Sequence, residues 1–234
     1  MGMLTTHDGL QLRYDVRGDG PPVVLMHSFG FDSQLWERMG ALPALEGFSA
    51  ITYDARGHGR SDHPGDPACY GADAMAADVS YLLDHLALTS ANLVAFSMGS
   101  FVALRVLERD HRISRAVLGG VGGRILMPTE PGEMPSDPER MIREGAPYLG
   151  SRLDSGAADA RALAAVAAAG MRPRDLELEA IQADVLLLCG TRDDDPTPLA
   201  RRIPTCRIEL LEADHGGTMG HPGFVPAILT HLNG

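Results

Sequence analysis

The chain has 234 residues, 44% hydrophobic and 22% charged, with 31 acidic against 20 basic side chains and a formal net charge of −11. A chain of this size buries one large core, so a single soluble domain is expected. Its acidic balance and scattered arginines exclude phosphate backbones and anionic membranes as natural partners, which removes nucleic-acid binding from the expected functions.

Three irregularly spaced cysteines, Cys69, Cys189 and Cys206, match neither a disulfide framework nor a zinc signature. There is no basic region followed by an apolar leader, and no apolar run near the roughly 20 residues that span a bilayer, so a cytoplasmic location is expected.

In chain order, Leu10 to Val16 alternates apolar and polar residues after His7-Asp8-Gly9, the pattern of a half-buried strand in a hairpin with the segment before it. Four short apolar runs bounded by turn residues follow the rule for parallel strands buried on both faces: Val23 to Met26, Ile51 to Tyr53, Asn92 to Phe96 and Val185 to Cys189. Ala116 to Leu118 and Ile208 to Leu211 add two more. Between them, Met75, Val79, Leu82, Leu83 and Leu86 recur at helical spacing, as do Phe224, Val225, Ile228, Leu229 and Leu232. The alternation predicts an α/β fold, a doubly wound, mostly parallel sheet of about eight strands, with ligands bound beyond the carboxyl ends of the strands.

The rhythm breaks between residues 121 and 184. Pro128, Pro131, Pro135 and Pro138 predict an irregular start, and Arg161 to Ala169 an Ala-rich helix. The expected organisation is a core of residues 1–120 and 185–234 with a small lid insertion at 121–184. Met127, Met134 and Met141 there offer either an adaptable apolar wall or lid core.

The strand Asn92 to Phe96 runs into Ala95-Phe96-Ser97-Met98-Gly99 and then a helical run to about Arg109. This is the context of a nucleophilic serine on a strand-to-helix elbow, G-x-S-x-G, with Ala95 in place of the first glycine. The position requires small volume, so Ala is tolerable. Taken alone, Ser97 reads equally well as a helix cap.

A serine hydroxyl needs a base to take its proton, and the base needs a partner. Two later loops supply them in the order Ser, Asp, His. Asp193 lies three residues past Gly190 at the end of one strand, and His215 follows the strand Ile208 to Leu211. Asp194 is the fallback acid, Asp195 a helix cap, and His221 a competing base better placed to cap or pack before Pro222. For the oxyanion, the expected donors are the backbone N–H groups of Met98 and of Phe29 in the loop His27-Ser28-Phe29-Gly30.

With these residues in place, the chain resembles the α/β-hydrolase superfamily over essentially its full length. Asp54-Ala55-Arg56-Gly57-His58-Gly59-Arg60-Ser61-Asp62 resembles that family's D-x-R-G-x-G-x-S-D loop, and His215, Pro222 and Phe224 its H-x6-P-x-F ending. The resemblance implies that the Arg56 loop is structural and that no cofactor is needed. Ser28 replaces the usual glycine after the oxyanion-loop histidine, and its hydroxyl is a candidate extra donor.

The leading expectation is therefore a serine hydrolase acting on a small or medium ester, lactone or related acyl substrate. Serine rather than aspartate at the elbow argues against the dehalogenase and epoxide-hydrolase branches. The same triad serves C–C bond hydrolases and perhydrolases, and some members of the fold only bind ligands. Gly119-Gly120-Val121-Gly122-Gly123 follows a strand, but prolines rather than a helix come next, which leaves a nucleotide pyrophosphate without a helix N-terminus. No ligand set has metal-site spacing.

Overall fold

The apolar runs form β1 (Gly2–Thr5), β2 (Gln11–Arg17), β3 (Pro22–Met26), β4 (Ser49–Tyr53), β5 (Ala91–Phe96), β6 (Ile113–Gly119), β7 (Asp184–Gly190) and β8 (Cys206–Leu211). They make one sheet of order β1-β2-β4-β3-β5-β6-β7-β8 in a computed structural model that describes residues 1–127 and 132–234. The first hairpin pairs antiparallel with Leu4 opposite Leu12, and β2 pairs antiparallel with β4. From β4 onward every neighbour is parallel.

Among the described residues ten α-helices connect and cover the strands: α1 (Leu35–Arg38), α2 (Ala41–Ala44), α3 (Ala72–His85), α4 (Met98–Arg109), α5 (Pro138–Gly145), α6 (Gly150–Asp154), α7 (Ala160–Ala169), α8 (Thr197–Ala200), α9 (His215–Gly220) and α10 (Phe224–Asn233). Side chains alternate across a strand, so each central strand feeds two cores. Val24, Met26, Leu93 and Ala95 join the core beneath α3, α4 and α7; Val23, Leu25, Val94 and Phe96 join the one beneath α1, α2 and α10. This two-sided burial is why the central runs are continuously apolar. Truncating one of these residues, for example Leu93→Ala, should cost about 2–5 kcal/mol.

The chain leaves β3 toward β4 on one side, then returns through α3 to β5 on the other. That reversal of strand order opens a crevice beyond the carboxyl ends of β3 and β5. The loop carrying Phe29 and the turn carrying Ser97 therefore start from adjacent strands, with Met26 opposite Ala95.

Between β6 and β7 the described chain is helical and contains no strand. The segment keeps a small core of its own, Ile142, Ala146, Leu149, Leu163 and Ala164, packed on Phe29 and Phe31. Ala165 and Val166 of α7 join the main core, which ties the segment to the sheet. Pro128 and Pro131 lie outside the described residues. Pro138 does not extend the irregular stretch as expected: it opens α5, with the Asp137 side chain accepting from the Arg140 N–H. The first helical position needs no N–H, so proline suits it. Among the described residues no helix is long and apolar enough to cross a membrane.

Candidate active site

Ser97 stands between β5 and α4 with φ 53° and ψ −116°, a backbone conformation that a residue with a Cβ adopts only under strain. Two hydrogen bonds help to hold it there. Its N–H donates to the Gly119 carbonyl, and its own carbonyl accepts the Phe101 N–H. The tight turn needs small neighbours. A Cβ on Gly99 would collide with the Met26 carbonyl oxygen, whereas Ala95 is fully buried in the core with its methyl accommodated.

The Ser97 side chain makes no capping hydrogen bond to the helix that follows it. Its Oγ lies 3.0 Å from Nε2 of His215, whose Nδ1 lies 2.7 Å from Oδ2 of Asp193. An ionised carboxylate only accepts, so Nδ1 carries the ring hydrogen and donates to Asp193. Nε2 is then the bare nitrogen and accepts from the Ser97 hydroxyl. Burial alone would raise the Asp193 carboxyl, but the His215 and Asp194 N–H donors outweigh it and hold Asp193 below the ordinary carboxylate value.

The other acidic residues of that loop are engaged elsewhere. Asp194 accepts the Arg124 backbone N–H at 2.8 Å and pairs with its guanidinium at 3.3 Å. Asp195 accepts the Thr197 N–H at the start of α8. His221 accepts the Gly223 N–H before α10 and does not reach Ser97. Burial pushes the Cys189 thiol up to about 11, so it stays protonated at neutral pH and supplies no thiolate nucleophile.

The Met98 N–H opens α4 and so has no carbonyl within its own helix. The Phe29 N–H has no acceptor among the described residues. Both residues line a cavity with Ser97. Ser28, Phe29, Gly30 and Phe31 form a tight turn closed by the Phe31 N–H on the Ser28 carbonyl. Gly30 takes the positive φ of 74° that such a turn demands, and a Cβ there would also strike Leu149. The Ser28 hydroxyl makes one long contact, 4.0 Å to the Met219 sulfur.

Behind this turn the Asp54 to Asp62 loop acts as a brace. Asp54 accepts N–H bonds from Ser33 and Arg60, and the Ala55 N–H donates to Nε2 of His27. Burial drives the His27 pKa down, against a bond from its Nδ1 to the Ser28 carbonyl, so the ring stays neutral. Arg56 is wholly buried and forked onto Asp78 at 2.6 and 2.7 Å, with a further bond to Asp8.

Several supporting residues carry no motif. Phe96 lies between His215 and Phe224, with ring centroids at 5.2 and 5.9 Å. The glycine run after β6 fits the site loops closely. A Cβ on Gly119 would strike Phe96, one on Gly120 would come within 2.8 Å of the His215 ring, and one on Gly122 would meet the Asp194 backbone. These contacts account for glycines that resemble a nucleotide loop in sequence.

Two cavities of about 280 Å³ each meet at Ser97 and Phe101. One is apolar and roofed by Met141, Ile142, Ala146, Tyr148 and Met171; the other holds His215, Asp193, Arg124 and Arg172. Of the three methionines between β6 and α6, Met141 lines the apolar cavity, Met134 packs against the cores, and Met127 is exposed.

A family model described as alpha/beta hydrolase fold matches residues 21–169. The 3-oxoadipate enol-lactonase 2 of Acinetobacter baylyi is 28% identical over 250 residues, covering 94% of this chain and 91% of the relative. A putative non-heme chloroperoxidase of Synechocystis sp. is 36% identical over 111 residues, covering 47% of this chain and 40% of the relative. With it and three further non-heme chloro- or haloperoxidases, the match spans 40% to 47% of the relative's length. A solved hydrolase from Pseudomonas aeruginosa PA01 is 27% identical, with a TM-score of 0.76 over 100% of this chain and 98% of that one.

Proposed function

Because the chain belongs to the alpha/beta hydrolase fold family, we propose that it is a serine hydrolase that cleaves small or medium carboxylic esters, lactones or related acyl compounds through an acyl-enzyme on Ser97. The observation that carries this reading is the unbroken chain from the Ser97 hydroxyl to Nε2 of His215 and from Nδ1 to Asp193, at 3.0 and 2.7 Å.

In this mechanism the Ser97 oxygen bonds to the acyl carbon as its proton passes to Nε2. The carbonyl oxygen becomes an oxyanion held by the Phe29 and Met98 N–H groups, each worth about a hundredfold or more in rate. Collapse breaks the bond to the leaving group, which takes the proton from His215. Water then gives its proton to His215 and its oxygen to the acyl carbon, and Ser97 is released. Asp193 holds the ring's tautomer and stabilises its positive charge. Residues 121–184 serve as a lid whose apolar underside receives the acyl chain, in keeping with the lining of the apolar cavity.

Similarity to non-heme chloroperoxidases favours one secondary activity, perhydrolysis, in which hydrogen peroxide rather than water takes the acyl group and a peracid leaves. Release of p-nitrophenol from acetate, butyrate and octanoate esters, measured beside Ser97→Ala, tests the main reading. Turnover lost in the variant supports it; equal turnover in both proteins refutes it.

A further inference from the structure

Among the described residues, all but one of the charged side chains around the polar cavity have a charged partner. Asp193 accepts from His215, and Asp194 is paired with Arg124. Arg172 is the exception. It is partly buried, and among the described residues its polar contact is a long bond of 3.3 Å from Nη1 to the Arg124 carbonyl. No carboxylate of the described residues comes within 4.0 Å of its guanidinium, although the larger polar cleft on its other side carries Asp73, Glu108, Asp175 and Glu177. With no carboxylate of the described residues on it, the Arg172 guanidinium keeps donors open toward the cavity that an anion can take.

The two cavities also differ in which end of a substrate they receive. Phe29 and Met98 line the apolar cavity, so the carbonyl and its acyl chain belong there. His215, which must hand its proton to the leaving group, lines the polar cavity with Arg172. Resting on the serine hydrolase reading, we propose that Arg172 is a specificity-determining residue that selects acyl substrates with an apolar acyl chain and a carboxylate on the leaving-group side. A guanidinium forks onto a carboxylate with two parallel hydrogen bonds, which makes this pairing selective in geometry as well as charge.

The test compares kcat/KM for 3- and 4-carboxyphenyl butyrate with the matching neutral carbamoylphenyl butyrates, in wild type, Arg172→Met, Arg172→Lys and Arg109→Met. The wild-type enzyme should prefer a carboxylate ester by about tenfold or more. That ratio should fall to near one in Arg172→Met, persist in part in Arg172→Lys, and be kept in Arg109→Met, whose lost charge belongs to the neighbouring cleft.

Wild type without the preference, a preference that survives Arg172→Met, or an equal loss in Arg109→Met would each overturn the assignment. In all three cases hydrolysis of the neutral ester that disappears in Ser97→Ala leaves the serine hydrolase reading standing. If neither ester is turned over, labelling by a fluorophosphonate separates the two claims. Modification of Ser97 counts against the substrate assignment alone; no modification counts against the serine hydrolase reading and the assignment with it.

Discussion

Gly120 abuts the His215 ring: a Cβ at this position would stand 2.8 Å from Cε1 of the imidazole and 3.0 Å from the Phe96 ring. Its backbone is also held at φ 63°, where a side chain is strained. Gly120→Ala should therefore push His215 off its line between Ser97 and Asp193. A displacement of about 1 Å at such a site costs on the order of a hundredfold in rate. Steady-state kinetics with a p-nitrophenyl ester should show kcat reduced by at least tenfold while circular dichroism stays that of the wild type. An unchanged kcat would mean that the glycine has no part in placing the base.

The turn at Ser97 holds a strained backbone. Replacing Ser97 with glycine, which tolerates φ 53°, should relieve about 1 kcal/mol or more of backbone strain while removing the hydroxyl. Urea denaturation should give a higher midpoint for Ser97→Gly than for Ser97→Ala, with both variants inactive. A midpoint for the glycine variant below that of the alanine variant would show that the turn is not strained.

At the first small position of the elbow the alanine is part of the core. Ala95 is fully buried, and its removal deletes a methyl group and adds backbone freedom to a central strand. Ala95→Gly should lower stability by about 1 kcal/mol or slightly more and leave kcat within about twofold. The same urea series, read beside kcat, checks both halves of the statement. A gain in activity would indicate that the alanine constrains the serine.

The pH dependence of stability has a definite sign at Asp110. Hydrogen bonds from Arg112, opposed by burial and joined by Ser80, hold its carboxyl at about 2, below the ordinary 3.8. A folded-state pKa lowered in this way stabilises the protein above about pH 4, and the contribution is lost as pH falls from there toward 2. Asp110→Asn should be less stable than wild type at pH 7, and the gap should close across that window. A gap that widened on acidification would reverse the assignment.

The parts of the molecule that were legible in the sequence are those whose signal is local. Val23 to Met26, Asn92 to Phe96 and Val185 to Cys189 are apolar because both faces of the sheet are covered, and Ser97 and Asp193 each follow such a strand by a few residues, whereas His215 follows the edge strand β8, whose residues 207–210 are exposed. Helices α1 and α2 are too short to show a period, and Pro138 carries the same letter whether it breaks a helix or opens one. Phe96, Gly120 and Arg172 depend on neighbours far away in the chain, such as His215 and Arg124, so no spacing rule reaches them.

The central claim is that Ser97 is a nucleophile activated through His215. Mass spectrometry of peptides after treatment with a fluorophosphonate tests it most directly. Wild type should carry the phosphonyl group on the peptide containing Ser97, His215→Ala should be labelled at least a hundredfold more slowly, and Ser97→Ala should not be labelled there. Unlabelled wild type, or a label on a different residue, would contradict the account.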